Sequence, residues 1–133
     1  MNLEDLAAEL PNGFHDAVLR TFSSDLEAGR AEFILDVWIG DLHSSETAER
    51  ERRSRARLEL LGLAYLRCDD SEKRHPGPEG SPLQIDACAA NDDAELARQV
   101  PAGGFAGRFF VTEWNASIHF AAVEARLTWL GVN

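Results

Sequence analysis

Residues 14–40 read FHDAVLRTFSSDLEAGRAEFILDVWIG, and this stretch decides the fold class. Its apolar period is two, where an amphipathic helix would show 3.6. In the second half Phe33, Leu35, Val37 and Ile39 fall on one side, against Ile34, Asp36 and Trp38 on the other. β-Branched and aromatic side chains suit a pleated, half-buried surface, so AEFILDVWIG is the strongest strand of the chain. In the first half Ala17, Leu19 and Thr21 alternate with Val18, Arg20 and Phe22. Glu27-Ala28-Gly29-Arg30 lies between the halves and offers a glycine where a tight turn needs positive φ. Residues 14–40 are therefore predicted to form an antiparallel hairpin.

Before the hairpin, NLEDLAAEL at 2–10 reads as a short helix capped by Asn2, with Glu4 and Asp5 in the first turn and Leu3, Leu6 and Leu10 on one stripe. Pro11-Asn12-Gly13 ends it. After the hairpin the reading divides. SSETAERERRSRAR has helix-favouring residues from Ser45, yet Arg53, Arg55, Arg57 and Glu59 alternate with Ser54, Ala56, Leu58 and Leu60 at strand period. The alternation favours a loop or frayed helical turn at 42–51 and a strand at 53–66, and helix remains the alternative for 44–57. Residues 67–82, with three prolines, read as a long exposed loop. A short strand at 83–88, a helical turn at 92–99 capped by Asn91, and strands at 107–114 and 117–131 complete the chain. The last stretch changes parity near Val123-Glu124, which predicts a bulge or bend. The connections are too short for parallel crossovers. The expected architecture is one mainly-β domain over 1–133: an antiparallel sandwich or partly open barrel of six or seven strands, with one or two short helices.

Composition bounds the function. The 133 residues include 23 acidic and 13 basic side chains, a formal charge of −10, and 44% are apolar. Such a balance argues against bulk binding to nucleic acid or anionic lipid, which requires Lys and Arg to neutralise phosphates. No basic start followed by an apolar run opens the sequence, and its most apolar stretch, Leu60 to Tyr65, is too short to span a bilayer, so a cytoplasmic location is expected. Cys68 and Cys88 form no C-x-x-C pair and read as reduced thiols, with a disulfide across the intervening loop as the alternative. The charge is polarised: residues 50–57 hold five arginines against Glu51 alone, a net +4 that leaves the remainder near −14.

Few residues carry chemistry. His15-Asp16 pairs an imidazole with a carboxylate, as a base or metal ligand requires, although neighbours on a strand point to opposite faces. The bland reading is a backbone contact at the strand entrance. His15, His43, His75 and His119 show no metal-ligand spacing, and no nucleophile elbow or phosphate loop is present. No metal or cofactor is expected. Asp36 needs a partner within its apolar strand, and Arg20 on the facing strand is the candidate. Arg53, Arg55 and Arg57 would line one strand face as a basic stripe, able to bind a local anion or to remain a solvated face.

The segments FHDAVLRTFSSDLEAGRAEFILDV, RARLELLGLAYLRCD and SIHFAAVEARLTWL resemble a loose group of small bacterial proteins of unknown function that open on a Phe-His-Asp-Ala strand. Only Phe14, His15, Asp16 and Ala17 carry over residue by residue, with no role attached. Some members of such groups resemble immunity proteins of toxin systems. The resemblance implies an antiparallel β-rich fold and, for the immunity-like members, an enzymatically silent protein. Together these readings lead to a non-enzymatic domain that binds another protein, immunity-type, or itself as a homodimer. Trp38, Trp114, Trp129, Phe109 and Phe110 would supply both core and interface. The alternative is a small-molecule or metal site, or a hydrolase, using His15, Asp16 and His119; a further one is anion binding along Arg50–Arg57.

Overall fold

The computed structural model describes residues 1–41, 43–70, 83–88 and 94–132, with Cys88 and Val132 described by backbone alone. The elements run α1 (Leu3–Ala8), β1 (Ala17–Asp25), β2 (Arg30–Trp38), α2 (Thr47–Arg50), β3 (Arg53–Leu61), β4 (Tyr65–Cys68), β5 (Leu83–Cys88), α3 (Ala94–Arg98), β6 (Phe105–Val111), β7 (Ala116–Ala122) and β8 (Glu124–Val132). All eight strands join one antiparallel sheet in the order β4-β7-β6-β5-β1-β2-β3-β8. The mainly-β expectation holds. Among the described residues the strand count, eight, exceeds six or seven because two long stretches are each divided by a bend. β3 passes into β4 through Gly62–Ala64, and β7 passes into β8 through Val123. Both bends share one corner, where the Val123 amide donates to the Leu61 carbonyl at 3.0 Å and the Ala64 amide to the Ala121 carbonyl at 2.8 Å. Gly62 sits there at φ +64, and a Cβ on it would lie 2.7 Å from Val123 Cγ2. Glycine is required by both conformation and space.

The corner curls the sheet round its core without closing it: no ladder joins β4 to β8 among the described residues. Phe14, Phe33, Phe109 and Phe120 fill the concave side, with ring centroids 5.1 Å apart for Phe33–Phe109 and 5.3 Å for Phe109–Phe120. Alternation on β2 and β3 follows the sequence pattern, since Phe33, Leu35, Val37, Ala56, Leu58 and Leu60 are all fully buried. On β1 it does not. The β1–β2 register shifts between Leu19 and Thr21, so Arg20 forms a bulge and Phe22 turns to stack on Phe33 at 4.8 Å. Strict alternation in the sequence puts Phe22 on the face opposite Leu19; one extra residue in the strand reverses parity beyond it.

Both readings of 42–57 contribute, because α2 precedes β3 and the strand pattern begins at Arg53. Helix α1 is held by a capping box, with the Asp5 amide donating to Asn2 Oδ1 at 2.7 Å. Its buried Leu3 and Leu6 pack into the core, and the Ala125 amide of β8 donates to the Met1 carbonyl at 2.7 Å. Cys68 and Cys88 end strands that β7 and β6 separate, roughly 14 Å at ordinary strand spacing and beyond disulfide reach. Most of the predicted 67–82 loop, His75, and the Asn91 cap lie outside the described residues. No helix among the described residues is long and apolar enough to cross a membrane.

Candidate functional site

His15 and Asp16 precede β1, so strand alternation does not govern them. Asp16 adopts the left-handed conformation at φ +56, which aspartate tolerates better than most residues. That conformation overturns the expectation that the two side chains diverge. Asp16 Oδ2 lies 3.3 Å from His15 Nε2, while His15 Nδ1 meets Asp86 Oδ1 of β5 at 2.5 Å. One imidazole is thus bracketed by two carboxylates. These three residues could offer a divalent cation one nitrogen and two carboxylate oxygens, with the ligand atoms all within 4.8 Å of one another. A cation would have to displace one carboxylate from the ring, since both nitrogens already face one. Asp86 carried no signal in the sequence, because only the β1–β5 pairing brings it there.

His119 belongs to a different constellation. It is 5% exposed, and its Nε2 meets Asp69 Oδ1 at 2.9 Å, while Asp69 Oδ2 accepts from the Ser117 amide at 3.2 Å. Residues paired across antiparallel strands share a face. Asp86, Phe110 and Ser117 form one such row, and Arg108, His119 and Arg67 are paired in another. The His15 and His119 groups therefore occupy the outer face of β5–β6–β7 on either side of Phe110.

Arg53, Arg55 and Arg57 do line one face of β3, as the alternation required, and each faces β2. Arg53 lies over the Trp38 ring at 5.8 Å from its centroid. Arg57 Nε is 3.5 Å from Glu32 Oε1. Arg55 Nε donates to Asp36 Oδ1 at 3.0 Å, and Asp36 also receives Arg20, its expected partner, at 2.6 Å. The hydrogen bond to Asp36, and then its charge, hold the Arg55 guanidinium above its usual range. The basic stripe is the outer rung of an ion-pair ladder with β2.

A cleft of about 370 Å³ opens between the Pro11-Asn12 turn, Ile39-Gly40-Asp41, His43 and Glu49. Its polar lining is acid-rich, and nothing in the sequence marked it.

The three tryptophans separate clearly. Trp38 is half-buried and donates its Nε1–H to the Arg50 carbonyl, and Trp114 packs against the core. Trp129 is 47% exposed on β8, beside Leu130 at 43%. β8 stands at an end of the strand order and, among the described residues, pairs only with β3. The opposite end, β4, is four residues long and carries Arg67; β8 has nine residues and no charge from 127 to 132. A long, uncharged, apolar edge is the feature that folded proteins ordinarily protect. Comparisons with family models, curated proteins and solved structures found no match to the chain.

Proposed function

We propose that this chain is a non-enzymatic binding domain that takes up an extended segment of another polypeptide along the outer edge of β8. The observation that carries the reading is the edge itself, whose Trp129 and Leu130 are exposed beside backbone groups that no second strand covers among the described residues. Strand addition supplies main-chain hydrogen bonds, and alternate side chains supply selectivity. The tightly paired arginine stripe is a weaker candidate, because its guanidinium groups already face Glu32, Asp36 and Trp38.

The test is to pan a displayed library of random extended peptides on the intact protein. Enriched peptides should be rich in β-branched and aromatic residues, lose binding to Trp129→Lys, and lose it when alternate peptide amides are methylated. A library that yields no binder, or binders indifferent to Trp129→Lys, would overturn the reading.

A further inference from the structure

We infer that the segment β8 takes up is the β8 of a second copy of this chain, added antiparallel about a two-fold axis at Thr128. This rests on the strand-addition reading and names the partner. Hydrogen-bond parity sets the register. The Ala125 amide points away from β3, because it donates to the Met1 carbonyl. Backbone groups alternate along a strand, so Leu127 and Trp129 also direct theirs outward. The β3–β8 register then shifts beyond Trp129, with Ala56 opposite Trp129 and Arg55 opposite Gly131, so Leu130 is the extra residue that ends the run. Leu127 and Trp129 have no backbone partner outside the β3 ladder among the described residues.

Three two-fold registers are available to this run. An axis at Leu127 sets Ala125 against Trp129, but the Ala125 amide is already taken by Met1. An axis at Trp129 sets Leu127 against Gly131, which lies beyond the bulge. An axis at Thr128 sets Leu127 of each copy against Trp129 of the other and pairs both outward amides of both copies; it asks nothing of the Ala125 amide, because the residue opposite, Gly131, lies beyond the bulge. Side chains agree. Leu127 and Trp129 are paired with Leu58 and Ala56, so they share the core-facing side, and each exposed tryptophan would cover the other copy's leucine. No like charges oppose each other, because Arg126 faces Leu130 of the second copy and is already paired with Glu124 at 3.0 Å. The chain's −10 lies elsewhere: β3 and β8 together hold four arginines and two glutamates. Two bodies of −10 repel, and salt screens that repulsion while leaving an uncharged contact intact. This association should therefore strengthen with salt, whereas capture of a basic partner by an acidic body would weaken.

Sedimentation equilibrium of the full chain over a concentration series tests the inference. The wild type should approach twice the single-chain mass, more readily at higher salt. Trp129→Lys and Leu130→Lys should remain at the single-chain mass, and Leu26→Lys, which removes a still more exposed leucine from the β1–β2 turn, should dimerise as the wild type does. Under mild oxidant Thr128→Cys should form a disulfide to its own copy, located by peptide mass, because Thr128 would face itself in a non-hydrogen-bonded pair. Arg126→Cys should not. Single-chain mass at every concentration, a dimer indifferent to both β8 lysines, or equal cross-linking by Arg126→Cys would each overturn the proposal. A monomeric chain whose β8 still captures displayed peptides overturns the second copy and leaves strand addition standing. Failure of both ends both.

Discussion

Arg20 Nε donates to Asp36 Oδ2 at 2.6 Å, and Arg20 reaches it because it is the bulged residue of β1. The bulge does two things at once: it turns Phe22 onto Phe33 and gives a carboxylate that is 3% exposed its first guanidinium. Arg55 supplies the second from β3. Asp36→Ala should therefore destabilise the fold by about 2–3 kcal/mol, since it strips two charge-assisted partners from a buried position. Arg20→Ala should cost less, because the half-exposed guanidinium is replaced by water. Urea unfolding of the two variants checks the order.

The corner at Gly62 gives a second expectation. Gly62→Ala adds a left-handed penalty and a contact of 2.9 Å with Val123 Cβ, so about 2 kcal/mol should be lost. Val123→Gly in the same chain removes the contact but not the conformational cost. Urea midpoints should show a partial recovery, and full recovery would mean that φ at Gly62 carries no strain.

The two histidine groups should respond differently. His119 is buried against Asp69, so Asp69→Ala should cost about 1–3 kcal/mol by leaving the imidazole and the Ser117 amide without that acceptor. The His15 side chain is 63% exposed, and His15→Ala should change stability by no more than roughly 0.5 kcal/mol. Equal losses in thermal or urea unfolding would contradict this division.

Gly107 tests how α1 is seated. A Cβ there would lie 2.5 Å from Phe120 Cε1 and 3.1 Å from Leu3 Cδ2. Gly107→Ala should cost about 1–3 kcal/mol through overpacking and loosen α1. Faster amide exchange at Ala125, whose hydrogen bond to Met1 depends on that seating, is the specific readout.

Most elements were legible because they rest on local rules. Period two on AEFILDVWIG, the Asn2 cap and the parity change at Val123 all depend on neighbours a few residues apart, and the structure realises each. The pairing of Asp36 with Arg20 was also readable, because a charge in an apolar strand needs a partner and the facing strand offered one. The candidate site was less legible. His15 was visible as a reactive type, but its bracketing carboxylate Asp86 lies 71 residues away and arrives through a strand pairing. The Arg20 bulge leaves no mark in the alternation, and strict period two therefore puts Phe22 on the wrong face.

The sequence by itself determined the strand content, the first helix and the basic alternation of β3, since these follow from side-chain period and capping. Only the tertiary structure decided which strands pair and which edge is left over. Trp38, Trp114 and Trp129 are chemically alike in the sequence, yet one is covered by Arg53, one by the core, and Trp129 by nothing among the described residues but its own strand pair. The physical reason is that exposure belongs to a position in the sheet order. β8 is an edge because the corner at Gly62 and Val123 directs β4 and β8 apart, and no local pattern encodes where a sheet stops.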